Sequence, residues 1–370
     1  MGEAGEGRGL NSVSEINVYF DVKEPYYLPQ YTPVAKVLES RGVTCTFVFY
    51  VKQGHVQQQS TQTGYNVVSV KDEHQARQLY LAERPDWLLI GNYFQNLDQI
   101  HEHTKTALLS HGIGPKACYY TVSDAKPSVR FVEGPYRTQR LQKMYPEQVF
   151  VDTGYAKLDP AINGDMNGVK PSDYGLDENK KTILYAPTFY PSSIECFSKK
   201  FAQEFSEYNI IIKPHYFSLV SEKYKKQRQL LESWAASDNV YLARESEVNI
   251  LPFMVLSDAL VSDASSTLFE FAALDKPVVW CDFYKLRWGY RGLFKFRFRE
   301  RMDEDLYKYA DIAAHANSYS ELKSVVDSQM INPAEYQQSR KEYTLALAGV
   351  VDGKVSERIA HYMLNNNESS

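Results

Sequence analysis

Apolar strand-like runs alternate with helical stretches along this chain, and the alternation comes in two separate series. In the first, INVYF (16–20) reads as a strand, residues 27–42 as a helix with Gly42 near its end, and residues 43–51 as a strand. Residues 71–85 then read as a helix, and DWLLIG (86–91) as a strand with a Gly turn. The rhythm restarts after residue 178. KTILYAP (181–187), NIIIKPH (209–215) and NVYLAR (239–244) read as strands; residues 196–208 and 219–237 read as helices, with a short helix at 248–257. Strands that alternate with helices pair in parallel and are covered on both faces, because each crossover lays a helix on the sheet. Two series predict two doubly wound α/β domains, over residues 14–153 and 181–335. A Gly-, Pro-, Asn- and Asp-rich linker lies at 154–180. Residues 336–364 read as helices packing back across the seam, flanked by a disordered leader (1–13) and a polar tail (365–370).

Composition narrows the function classes. A length of 370 residues suits two domains, and 44% hydrophobic with 24% charged residues is the balance of a folded soluble chain. No run approaches the roughly 20 apolar residues of a membrane span, and the first residues lack the apolar core of a secretory signal. A net charge of −5 argues against a general nucleic-acid binder. The four cysteines are widely spaced with no CxxC pair, which points to free thiols in a reducing compartment. HExxH, GxxxxGK[ST], GxSxG and clustered Cys/His ligands are all missing from the sequence.

Ligands of open parallel sheets bind at the carboxyl ends of the strands, and several polar clusters fall there. In DALVSDASSTLFEFAALDKPVVW (258–280) a strand ending at Ser262 delivers Asp263, Ser265, Ser266 and Thr267 to the sheet's mouth, where a helix begins near Thr267. Helix-start N–H groups and these hydroxyls suit a phosphate. Thr267-x-x-Glu270 equally fits a capping box. In IIIKPHYF (210–217) the strand closes on Pro214, which puts Lys213 and His215 at the same edge. In ALLSHGIGPKACYY (107–120), Gly112 and Gly114 allow close backbone approach to a ligand, and His111 is a candidate general base. ILYAPTFYPSS (183–193) places Thr188 at the mouth. Residues 285–301 interleave Lys and Arg with aromatics; FKFRFR alternates strictly and reads as a strand with Phe inside and Arg outside.

These pieces together resemble the CDP-glycerol glycerophosphotransferase family of teichoic acid and capsule primases and polymerases. SDASSTLFEFAALDKPVVW resembles its Ser-Ser signature, while LYAPTF (184–189), IKPHYF (212–217), SHGIG (110–114) and DTGYAKLD (152–159) recur in its order and spacing. The resemblance covers roughly residues 105 to 282. It departs where family members often carry His-Gly-Thr and this chain has His111-Gly112-Ile113. It implies a GT-B fold, two Rossmann-like domains facing a cleft, with the first meeting the acceptor and the second holding the nucleotide donor. By the same resemblance, Ser265, Ser266, Thr267 and Lys213 would bind the donor phosphates, and His215 and His111 would be the catalytic pair. Asp263, Thr188 and Gly112 would support them. The implied reaction moves glycerol phosphate from CDP-glycerol to a hydroxyl of a cell-envelope glycan or lipid-linked acceptor and releases CMP. No metal or cofactor is implied. The implied setting is cytoplasmic, with peripheral contact at the inner face of the membrane. Three alternatives stand beside this reading. One is a GT-B glycosyltransferase using a CMP-, CDP- or UDP-linked sugar. The others are an epimerase of the UDP-N-acetylglucosamine type and a catalytically silent binding module.

Overall fold

The computed structural model describes residues 16–51, 64–115, 118–286 and 304–367. The expected leader (1–13), the last residues of the tail and the alternating FKFRFR stretch lie outside the described residues. The first series of strands builds a seven-stranded sheet: β1 (Asn17–Val22), β2 (Thr44–Tyr50), β3 (Asn66–Val70), β4 (Trp87–Ile90), β5 (Lys105–Leu109), β6 (Val129–Val132) and β7 (Phe150–Asp152). Their order is β3-β2-β1-β4-β5-β6-β7, and every pairing is parallel. The second series builds a six-stranded sheet from β8 (Thr182–Ala186), β9 (Asn209–Ile212), β10 (Val240–Leu242), β11 (Ala259–Ser262), β12 (Val278–Cys281) and β13 (Ala314–Ala316). Its order is β10-β9-β8-β11-β12-β13, again all parallel. The continuous apolar strands are those with helices on both faces: β4, β8, β9, β11 and β12 are buried at every position.

The helix expected over residues 196–208 is a correction. Only Phe201–Glu204 is helical there, preceded by a single 3-10 turn at Ile194–Cys196. The apolar positions of this stretch, Phe197, Phe201 and Phe205, instead close over Tyr185 and Trp234, and packing of these rings decides the path. Cys45 and Cys281 are buried free thiols, and Cys196 is half-buried and free. Among the described residues, no helix is long and apolar enough to cross a membrane.

The end of the chain returns to the first sheet. The helix Val355–Asn365 buries Val355, Ile359, Ala360 and Met363 in the core formed with Tyr31, Val34 and Leu38 of the Leu28–Ser40 helix. Asp159 satisfies the start of that last helix, accepting from the backbone N–H groups of Val355 (3.3 Å) and Ser356 (2.7 Å). The chain therefore passes between the two sheets twice, and the helix Gln337–Ala348 lies against elements of both, Pro135–Met144 and Ser266–Ala272.

Candidate functional site

A cavity of about 640 Å³ opens between the carboxyl edges of the two sheets. The residues directly following β5, β8, β9, β11 and β12 line it, which is where the strand-end rule puts a ligand. His111, Thr188, Lys213, His215, Asp263, Ser265, Ser266 and Thr267 all line this one cavity, although they are spread over more than 150 positions of sequence. Gly112, the remaining predicted site residue, is buried between His111 and Ile113, which both line the cavity.

The two histidines are held in opposite hydrogen-bonding states. His111 places Nδ1 3.3 Å from the carbonyl oxygen of Gly91. A carbonyl only accepts, so Nδ1 carries the proton and Nε2 is the basic nitrogen of the neutral ring. Its ring stacks on Tyr27 (5.1 Å between centroids) and packs against Tyr26 and Tyr119. His215 caps the short helix Tyr216–Val220, and its Nδ1 accepts the N–H of Phe217 at 3.2 Å. Its proton in the neutral ring is therefore on Nε2, which donates. Tyr26 contacts both rings, at 5.0 Å from His111 and 6.4 Å from His215, so one aromatic side chain spaces the pair.

At the start of the Ser266–Ala272 helix, Ser265 is the cap. Its Oγ accepts from the N–H of Thr267 at 3.3 Å and lies 3.2 Å from the Thr267 hydroxyl. The Thr267–Glu270 capping box that the local spacing also fits is not formed. The cap stands two residues earlier, and Glu270 turns across the seam to Lys157 at 2.6 Å. Burial drives that choice: a carboxylate that is 2% exposed needs a cation more than a second helix-end contact. Asp263 is buried and accepts from the N–H of Thr188 (2.9 Å) and of Ser193 (3.1 Å). Burial pushes its carboxyl up to about 6, against the pull of those donors. Asp263 and Thr188 thus brace the loop after β8. Lys213 follows β9, and burial lowers its ammonium to about 8, with Lys157 adding repulsion and Glu247 opposing both.

The glycines of this turn also stand at close contacts within the protein. A Cβ on Gly114, where φ is +86, would sit 2.4 Å from the Phe269 ring. On Gly112 it would sit 2.2 Å from the Tyr119 hydroxyl and 3.4 Å from the Ser266 Cβ. Their bareness admits the neighbouring Tyr119 and Phe269 rings, and Gly114 also lines the cavity. Arg137 fixes this turn, donating to the carbonyls of Gly112 (3.1 Å) and Gly114 (2.7 Å) while paired with buried Glu133. At the other end of the cavity Trp280 stacks on His315, whose Nδ1 lies 2.7 Å from Asp282 and whose Nε2 lies 3.0 Å from the Ala310 carbonyl. The Asp282 contact raises the imidazole's pKa and favours the imidazolium.

Sequence reasoning missed Tyr26, Arg137, Tyr155 and Lys157 and misread Glu270. Tyr155 and Lys157 stand within DTGYAKLD, which the resemblance quotes without a role. No group of three or more metal-ligating side chains occurs among the described residues.

The family model and the sequence relatives agree on one family, while the solved structures of similar fold also include a UDP-N-acetylglucosamine 2-epimerase of Neisseria meningitidis (TM-score 0.60, 13% identity, covering 95% of this chain and 100% of that one). The family model of CDP-glycerol:poly(glycerophosphate) glycerophosphotransferases matches residues 18–365. A teichoic acid glycerol-phosphate primase of Bacillus spizizenii is 35% identical over 114 residues, which is 29% of this chain and 27% of that protein. A teichoic acid poly(glycerol phosphate) polymerase of the same organism is 30% identical over 148 residues, 36% of this chain and 35% of that protein. Both matches thus span about a third or less of those relatives' lengths. The solved structure of the wall teichoic acid polymerase TagF superposes with a TM-score of 0.69 at 14% identity, covering 95% of this chain and 89% of that one. This likeness shows the fold, the GT-B arrangement of two parallel-sheet domains about a cleft.

Proposed function

The chain belongs to the CDP-glycerol:poly(glycerophosphate) glycerophosphotransferase family, and on that premise we propose that its cleft moves glycerol phosphate from CDP-glycerol to a hydroxyl of a cell-envelope glycan or lipid-linked acceptor. The acceptor oxygen attacks the phosphorus that carries glycerol. The bond from that phosphorus to the bridging oxygen of the pyrophosphate breaks, and CMP leaves with the electron pair. The acceptor's proton passes to Nε2 of His111, the nitrogen left basic by the Gly91 contact. His215, donating through Nε2, and the ammonium of Lys213 meet the growing charge on the pyrophosphate oxygens, alongside the hydroxyls of Ser265, Ser266 and Thr267. Asp263 and Thr188 keep the loop after β8 in place for this.

The observation that carries the reading is the opposite Nδ1 partner of two histidines lining one cavity: a carbonyl oxygen for His111 and a backbone N–H for His215. A panel of CMP, CDP-glycerol, UDP and UDP-sugars, read by thermal stabilisation, tests it. Cytidine ligands should raise the melting temperature, and the Ser265→Ala/Ser266→Ala variant should lose most of that rise. Stabilisation by UDP-sugars alone would transfer the site to a glycosyltransferase. We further propose a cytoplasmic protein that touches the inner face of the cell membrane, where a lipid-linked acceptor is met. The basic and aromatic composition of residues 285–301 motivates this reading, and co-sedimentation with anionic vesicles tests it.

A further inference from the structure

One buried ionic group in the cleft takes no part in the mechanism above. Glu270, on the Ser266–Ala272 helix, pairs with Lys157 at 2.6 Å, with side chains 2% and 12% exposed respectively. Lys157 belongs to the segment leaving the first sheet, and its backbone N–H donates to Gln30 of the Leu28–Ser40 helix at 2.8 Å. Tyr155 completes the group. Its hydroxyl lies 2.9 Å from the carbonyl oxygen of His111 and 3.2 Å from Oε1 of Glu270. Both are acceptors, so the single phenolic proton serves the two together. Burial and the Glu270 charge push the Tyr155 phenol well above its ordinary range, so it stays a donor.

The chain of contacts therefore runs from the first sheet through Lys157 to the donor-side helix, and back through Tyr155 to the backbone of His111. Its two ends are the candidate base and the helix that starts with Ser265 and Ser266. Next to it, a Cβ added at Gly112 would lie 3.4 Å from the Ser266 Cβ, so these two loops are closely packed. A buried ion pair of this kind is weak evidence of stabilisation, since desolvation offsets much of its attraction. Its geometry is the more informative property, because it sets a distance between two elements that must act on one substrate.

We propose that Glu270 is a positioning residue. With Lys157 and Tyr155 it fixes the separation between the His111 turn and the Ser265–Thr267 helix start, so that base and phosphate-binding hydroxyls close on the substrate as a unit. The inference rests on the proposed transfer reaction for its kinetic readout and on geometry alone for its spectroscopic one.

The test compares Tyr155→Phe, Glu270→Gln, Lys157→Met and Lys157→Arg in the full chain. Tyr155→Phe and Glu270→Gln should lower kcat roughly 10- to 100-fold per folded molecule while the donor KM stays within about twofold. Lys157→Arg should recover most of what Lys157→Met loses. Because Lys157→Met leaves a buried carboxylate uncompensated and is at risk of misfolding, the double variant Glu270→Gln/Lys157→Met is included. It should fold with kcat still reduced. The ring signals of His111, assigned by their loss in His111→Gln, should shift in Tyr155→Phe and Glu270→Gln while those of His315 stay in place. Unchanged kcat per folded molecule with a lowered melting temperature would make the group structural only. A loss confined to donor KM would make Glu270 a donor contact. Unmoved His111 signals would break the proposed connection. Each of these overturns the proposal. Absence of CMP release by the wild-type protein would instead count against the transfer reaction, and the His111 signals would still decide the positioning role.

Discussion

His111 and His215 differ in the partner of Nδ1, and that partner sets the tautomer of each neutral ring. A carbonyl partner at Nδ1 leaves the lone pair of the neutral His111 ring on Nε2; an N–H partner at Nδ1 leaves the proton of the neutral His215 ring on Nε2. The neighbouring serines separate in the same way. Ser265 is a helix cap, so Ser265→Ala should cost about 1 kcal/mol of stability, read by denaturant unfolding. Ser266 has no capping bond, and Ser266→Ala should weaken the response to cytidine ligands at unchanged stability. Asp21 offers a test of burial away from the cleft. It accepts from the hydroxyls of Tyr50 (2.7 Å) and Tyr80 (2.8 Å), and burial pushes its carboxyl up to about 6. The folded chain thus binds this proton more tightly than the unfolded one. The stability that the protonated carboxyl contributes is complete below about pH 4 and lost as the pH rises through 6. Asp21→Asn should gain on the wild type over that interval, by on the order of 2 kcal/mol, in melting curves taken from pH 4 to 7. A flat difference would remove the argument. At this scale the sequence shows which residues end strands, which is why Lys213, His215 and the Ser265–Thr267 run are legible in it. Glu270 is not, because its local spacing to Thr267 satisfies a capping pattern while its true partner is 113 positions away.

The turn after β5 meets the Ser266–Ala272 helix at van der Waals distance, and Gly114 is what permits it. Gly114→Ala faces both a φ of +86 and a Phe269 ring 2.4 Å from the new Cβ. It should cost more than about 2 kcal/mol and lower transfer with it; tolerance of alanine, in an unfolding titration, would mean that the two elements separate easily. The Gly-rich turn is evident from sequence, but the identity of what comes close to it is not, since Phe269 lies in a different sheet's helix. The strands were readable because a strand buried on both faces is written as a continuous apolar run. The stretch 196–208 was not: its Phe spacing fits a helix, and contact with Tyr185 and Trp234 overrides that propensity.

Across the whole molecule, two parallel sheets face each other, and the last helix of the chain completes the core of the first. Ile359 is fully buried there, so Ile359→Ala should cost about 2–5 kcal/mol and destabilise the first sheet although it lies at the far end of the sequence. Hydrogen exchange over β1 and β2 would register it, and unchanged protection would show that the helix is an accessory. The alternation of elements makes the two sheets legible, whereas their facing arrangement depends on contacts such as Lys157–Glu270 that no local pattern encodes. The central claim is that the cleft between them breaks the pyrophosphate of CDP-glycerol with a histidine base. Phosphorus NMR of the purified protein with CDP-glycerol and a hydroxyl acceptor tests it most directly. The account predicts that the two pyrophosphate signals give way to one phosphomonoester, CMP, and one phosphodiester, with His111→Ala slowing the change by roughly 10²–10⁴-fold. Intact CDP-glycerol beside consumption of a nucleotide sugar would contradict it.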